Sequence, residues 1–380
     1  MMGGVTLGLI ADYRPGSFLL TSPRRSLLAT GTQAVVSEPD PDELAARVTK
    51  ALVDSDAPLA VGALPFDRAA APHIVLPTSA RWERTEGDLR GVQRPGGHLQ
   101  GIPEAVPVPA PEEYERMVAR AVRRLRAGEL DKVVLARQLR LRLPEPVEVR
   151  ALLANLAADN ATGHTYAVDL PGGRTLVGAT PEMLLTRTGL TVDANPLAGS
   201  IARHPDPVQD RLAAEELLAS AKDHDEHQVV VSDVVEALRP FCRSLTVPER
   251  PSLVGTSAVW HLSTRITGEL ADPEVTSLRL ASALHPTSAV CGTPFTAARD
   301  TIAELEPFDR GFYAGAIGWC DARGDGQWVV GIRCAEIAGA EMTLYSGAGI
   351  MPASRPDLEL AETSAKFTTL LRAMGMLTPA

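Results

Sequence analysis

Two acid pairs, Asp223/Glu226 and Glu359/Glu362, are each spaced i, i+3 in segments patterned as helices. Asp223 and Glu226 run on into an apolar stripe through Val230 and Val234, and Glu359 and Glu362 share a stripe with Lys366 and Leu370. Carboxylates on a core-facing stripe are costly unless a positive charge neutralises them. A hard divalent cation between the two helices, with oxygen ligands suited to Mg²⁺, would do so. Removing one of four converging charges is then expected to relieve repulsion and stabilise the metal-free protein. Each pair also has a plain reading. Acids at a helix N-terminus are favoured by the macrodipole, and Glu362–Lys366 is the favourable i, i+4 orientation of a surface pair.

Other residues could supply acid–base chemistry and anion binding. Lys132 opens a strand and shares a face with Val134 and Ala136, so burial would push it toward general-base range. A solvated strand-end lysine is the alternative. Glu182 follows Pro181 at a strand-to-turn junction, as a candidate acid if desolvated or as an ordinary first-turn glutamate of a helix. Arg333 alternates with Gly331 and Ala335 on one strand face, where small neighbours leave room for a guanidinium to grip a carboxylate, or to form a cross-strand ion pair. Gly347 and Gly349 in SGAGI could bring backbone N–H groups close to an anion, or mark a bulge or tight packing. His261 and His285 are candidates for polar pocket residues or satisfied core histidines.

The elements that must position these residues can be read along the chain. It has 380 residues and a hydrophobic share of 45%, enough for a sizeable core. A net charge of −10 argues against a nucleic-acid or anionic-membrane partner, and an anionic substrate would need a local positive pocket. Four scattered cysteines without CxxC spacing read as buried thiols. No stretch approaches a membrane span, and the opening residues lack a signal-peptide pattern, so a cytoplasmic protein is expected.

Residues 1–100 read as short strands and turns with one helix after Asp40. FLLTSPRRSLLATG is strand–turn–strand, and PLAVGALPF a buried strand. The proline-rich GIPEAVPVPAPEEY reads as an extended connector ending at Pro111, the first residue of a helix that stops at Gly128. Strands follow at DKVVLARQLRLRL, HTYAVDL, RTLVGAT and GLTVDANPLAG. Helices are expected over 207–220 and 222–239, more strands between 257 and 350, and a last helix from Pro356. Neighbouring strands joined by turns favour mixed, largely antiparallel sheets over a parallel βαβ arrangement. The expectation is an α/β fold of the α+β type, with two large sheets packed together and helices outside.

The order DKVVLAR, VGATPEMLL, NPLAGSIAR, AKDHDEH, WHL, LHPTSAVCGTP, AELEPFDRGFYAGAIGWCD, WVVGIRCA and GAGIMPASRPDLELAETSAK resembles the chorismate-utilising enzymes, most of all their isochorismate synthases of siderophore and menaquinone pathways. The resemblance spans almost the whole chain. It implies one catalytic domain over 1–380, with an N-terminal sheet-forming part (1–101) and a catalytic core (112–380). It also implies that Lys132 activates water for attack at C2 of chorismate, and that Glu182 protonates the departing C4 hydroxyl. Glu226 and Glu362 match direct Mg²⁺ ligands, with Asp223 and Glu359 holding metal-bound waters. Arg333, Gly347, Gly349 and Lys366 match a clamp on the substrate carboxylates, and Gly199, Ser200, His261 and Tyr313 match pocket positions. Ser200 stands where many relatives have threonine, and Asp223 where some have glutamate.

The resemblance implies chorismate as the small-molecule partner, a monomer, and no glutaminase subunit. Anthranilate synthases usually carry glutamine where Lys132 stands; aminodeoxychorismate synthases can carry lysine. Salicylate synthases, the main alternative, share the lysine and the acids but typically have an aromatic residue in place of His285, so the His-Pro-Thr form favours stopping at isochorismate. A Mg²⁺-dependent terpene synthase would be all-helical, against the strand patterns here. A binding subunit without chemistry has no need of Lys132, Glu182 and four acids.

Overall fold

The computed structural model describes residues 8–84, 104–160, 162–256 and 259–376. Residues 1–7, part of the segment inspected for a targeting signal, and 101–103 of the proline-rich stretch lie outside these.

The described strands form a ten-stranded, a nine-stranded and a three-stranded sheet. Every pairing among them is antiparallel. Alternation along single strands sorts residues between two cores. Leu20 and Leu27 of the ten-stranded sheet meet Leu64, Ile74 and Trp328 of the nine-stranded sheet in a central core. Their neighbours Leu19 and Leu28 face the other way, into a second core with Leu153, Leu156, Phe367 and Leu370 of helices Val149–Asp159 and Pro356–Ala373. The helix Ser277–Leu284 covers the outer face of the nine-stranded sheet. The early strands join both sheets: Phe18–Thr21 pairs with His164–Leu170, and Ala60–Leu64 with Ala316–Cys320.

Local chemistry sets the helix ends. Asp40 accepts from the Asp42 and Glu43 amides at the start of Pro41–Val53, and Asp206 from Val208 and Gln209 at the start of Pro207–Ala219. Helix Pro111–Arg126 ends before Gly128, whose φ of +73° only glycine adopts cheaply.

The proline-rich connector is in part a strand: Glu104–Val108 pairs with Gln138–Arg142, its one proline, Pro107, lying on an edge strand where a missing donor is tolerated. Arg333 is not within a strand. Gly326–Val330 belongs to the nine-stranded sheet and Cys334–Ala338 to the ten-stranded one, and Arg333 sits in the crossing between them at φ +51°. Helices Val149–Asp159, Ser277–Leu284 and Phe295–Leu305 were not expected from the sequence pattern.

Candidate active site

The site lies where the chain changes sheets. Pro181 and Glu182 link Arg174–Thr180 of the ten-stranded sheet to Met183–Thr188 of the nine-stranded one. Arg333 occupies the second such link. Leu197–Ala202, which carries Gly199 and Ser200, runs into the three-stranded sheet straight after Thr191–Asn195 of the nine-stranded one. Strand ends are where side chains can leave a packed layer, so these crossings open a cavity of about 130 Å³. Fourteen of the fifteen candidate residues named from the sequence line it: Lys132, Glu182, Gly199, Ser200, Asp223, Glu226, His261, Tyr313, Arg333, Gly347, Gly349, Glu359, Glu362 and Lys366.

Lys132 is 1% exposed, with its Nζ 2.8 Å from Glu226 Oε1. Burial would raise the Glu226 carboxyl, but the Lys132 ammonium beside it holds it below its usual range. Gly349 makes room for this pair: a Cβ there would stand 2.7 Å from Glu226 Oε1 and 3.1 Å from Lys132 Cε. Gly347 does the same for the Tyr313 hydroxyl, at 2.8 Å. Both glycines thus serve close side-chain approach, and the Gly347 carbonyl accepts from Lys366 Nζ at 2.8 Å. Lys366 also meets Glu362 at 2.6 Å, so the expected i, i+4 pair is present but faces the cavity.

Glu182 is buried, and that burial pushes its carboxyl up to about 7 against the pull of Lys132. It opens no helix, which removes the first-turn reading. Arg333 Nη2 lies 3.2 Å from His261 Nε2. Burial and the Arg333 charge keep His261 well below its ordinary range, so the ring is neutral and accepts from the guanidinium. Among the described residues no carboxylate forms an ion pair with Arg333, and burial lowers it to about 10. A buried guanidinium held only by an imidazole is poised for an anionic guest. Gly199, at φ +70°, is the bulge residue in the Leu197–Ala202 ladder, and brings the backbone against Asp223.

The four acids reach one cavity but not one coordination point. Among the described residues no three carboxylate, imidazole or thiol groups stand in metal-binding geometry; Lys132 and Lys366 instead hold Glu226 and Glu362. The donor set still fits a hard cation. It is all oxygen, it comes from helices Ala221–Leu238 and Pro356–Ala373, and its two remaining members are short of positive charge. Burial and then Glu362 push Glu359 up to about 7. Burial raises Asp223, which accepts a short hydrogen bond from Ser220.

His285 is outside the cavity. Its Nε2 contacts the Pro65 carbonyl at 3.0 Å and its own carbonyl accepts from Arg68 Nε at 2.7 Å, which turns the ring toward the N-terminal part. Burial lowers it to about 3. The same segment reaches the cavity through Ala289 and Val290. Sequence reading also missed Lys222 and Tyr345. Tyr345 stacks on Tyr313 with ring centroids 4.8 Å apart, and its i, i+2 spacing to Gly347 was an available signal.

The family described as chorismate binding enzyme matches residues 92–375. The chain belongs to that family. It is 49% identical to isochorismate synthase DhbC of Bacillus subtilis, with 97% of this chain and 96% of the relative covered. It is 38% identical to isochorismate synthase EntC of Escherichia coli, with 97% of each covered. Among solved structures, the putative 2,3-dihydroxybenzoate-specific isochorismate synthase DhbC of Bacillus anthracis superposes with a TM-score of 0.92 at 43% identity, covering 97% of this chain and 99% of that one. Anthranilate synthase component I of Streptococcus pneumoniae shares the fold at a TM-score of 0.76 and 22% identity, over 91% and 92% of the two chains. No helix among the described residues is long and apolar enough to cross a membrane.

Proposed function

We propose that this family member is an isochorismate synthase, converting chorismate to isochorismate. The observation that carries the reading is a single cavity uniting a buried lysine, a buried glutamate pushed to about 7, and a buried arginine without a carboxylate partner. The substrate is a dicarboxylate, and relatives identical at 38–49% over nearly their whole length bear the name isochorismate synthase.

In this reading Arg333 binds a substrate carboxylate bidentately, and neutral His261 fixes the plane of its fork. Lys366 adds a second cation near the same guest. Lys132 takes a proton from water as the C2–O bond forms. An ammonium has no lone pair, so Lys132, ion-paired with Glu226, acts as a base only from its neutral form, after one ammonium proton has been released. The ring double bonds shift, the C4–O bond breaks, and the hydroxyl leaves as water on the proton of Glu182. An acid at about 7 is half protonated near neutrality, which suits it to that transfer. Glu226 and Glu362 would hold Mg²⁺ directly, with Asp223 and Glu359 outside them through water. When bound, Mg²⁺ supplies Lewis acidity to the substrate carboxylate. Because the nucleophile is water, no ammonia-supplying subunit is needed.

The test is turnover of chorismate with and without Mg²⁺, with products separated by chromatography. Isochorismate formed only with the metal supports the reading. Full activity in EDTA removes the metal assignment, and salicylate with equimolar pyruvate removes the product assignment.

A further inference from the structure

We propose that Glu306 and Arg310 are positioning residues that stand in for a missing stretch of neighbouring strand and thereby fix Lys132 and Val290 in the cavity wall. The strand Lys132–Arg142 is paired along one side by Glu341–Ile350. Its other edge is paired at the start by Gly292–Thr293, opposite Val133 and Lys132, and at the end by Glu104–Val108, opposite residues 138–142. Between these two partners the edge has no strand against it among the described residues.

The ion pair fills that gap. Arg310 Nη2 donates to the Val134 carbonyl at 2.8 Å, and the Ala136 amide donates to Glu306 Oε1 at 2.7 Å. These are the donor and acceptor a neighbouring strand would supply. Arg310 Nη1 donates to the Val290 carbonyl at 2.8 Å, and Nε and Nη2 donate to the two Glu306 oxygens at 2.9 and 2.5 Å. The guanidinium lies 4.3 Å from the Phe66 ring centroid and 5.8 Å from that of Tyr313. One rigid fork therefore ties together the strand of Lys132 and Val134, the segment of Val290, and the Tyr313 ring, all cavity components.

The side chains of Arg310 and Glu306 are 2% and 1% exposed. A buried ion pair gives little net stability over apolar residues of similar volume, so packing alone does not call for one here. What apolar residues cannot do is satisfy Val134, Ala136 and Val290 while fixing their spacing.

The proposal rests on the reading of Lys132 as the base, and a double-mutant cycle separates the two. Arg310→Lys keeps the charge but cannot reach three acceptors in one plane. The apolar double variant Glu306→Leu/Arg310→Met keeps the volume without the fork, leaves three backbone groups unpaired, and is expected to melt cooperatively but below the parent. For both we expect kcat to fall about ten-fold or more, with KM for chorismate within about three-fold of the parent, because the loss is one of geometry rather than binding. On a Lys132→Ala background the same changes should cost less than about two-fold, since coupled residues are not additive. Parent kcat in a folded apolar variant would overturn the proposal. So would an undiminished loss on the Lys132→Ala background, or the absence of cooperative melting in both variants, which would make the pair a folding requirement only. Failure of the base reading shows separately, as parent turnover in Lys132→Ala alone.

Discussion

The Lys132 ammonium and the Glu226 carboxylate form a 2.8 Å ion pair, with the lysine 1% and the glutamate 14% exposed, under a glycine that leaves them room. The pair joins the residue proposed as base to a residue proposed as metal ligand. It also changes what removing an acid from this cavity should do.

Four mutually repelling acids would gain stability from any neutral replacement, and that was the expectation from sequence. With Lys132 buried against it, Glu226 differs from the others. Glu226→Gln leaves an uncompensated buried ammonium, which costs about 3–5 kcal/mol in comparable cases. Glu359 is raised to about 7 by burial and Glu362, so its charge is a burden above that pH. Melting in EDTA at pH 8 should therefore show Glu226→Gln below the parent and Glu359→Gln above it. Equal shifts of one sign would contradict the assigned pairing.

Glu182 should leave a pH signature in stability. Its carboxyl stands at about 7 in the folded protein against an ordinary 4.5. The folded state thus binds the proton more tightly than the unfolded state between those values, so stability is fully present below 4.5 and is lost as pH rises through about 7. The loss is on the order of 3 kcal/mol. Glu182→Gln should flatten that part of the pH–stability curve, leaving the share due to Glu359. A curve unchanged in the variant would show that Glu182 is not held protonated by burial.

The rate should depend on the same groups. If Glu182 is the acid and must be protonated, kcat falls as pH rises through its value in the complex. Glu182→Gln and Lys132→Ala should each lower kcat by on the order of 10²-fold or more. Chorismate binding, followed by equilibrium titration, should persist in both, because Arg333 is intact. Turnover near the parent level in either variant would reassign its role.

Arg333→Lys keeps a cation but loses the fork and the contact to His261. Hydrogen bonds to charged groups are worth roughly 1.5–3 kcal/mol, so KM for chorismate should rise about ten-fold or more. The Mg²⁺ concentration for half-maximal activity should move much less. Unchanged KM would limit Arg333 to bracing the sheet crossing.

Much of this was legible in the chain because local rules apply to it. Asp40, Pro111 and Gly128 mark helix ends through capping and φ preference. The alternation around Leu19 and Leu20 matches a sheet buried on both faces. The site residues were legible through family resemblance far more than through spacing, since Lys132 and Glu182 each have an ordinary alternative. What sequence hid is long-range. Nothing in WVVGIRCA signals that Arg333 lies between two sheets, because the apolar run continues across the break. Nothing in AELEPFDRG signals that Glu306 and Arg310 complete a strand edge 170 or more residues away in sequence. His285 could be a pocket residue or a satisfied core histidine, and only the Pro65 and Arg68 contacts reveal that it is the latter and faces away.

The central claim is that this cavity adds water at C2 of chorismate and stops there. Turnover of chorismate with Mg²⁺ in ¹⁸O-enriched water, with products resolved by chromatography and weighed by mass spectrometry, tests it most directly. The account predicts isochorismate as the main product, carrying one solvent oxygen as its C2 hydroxyl. Unlabelled isochorismate, or salicylate and pyruvate as main products, would contradict it.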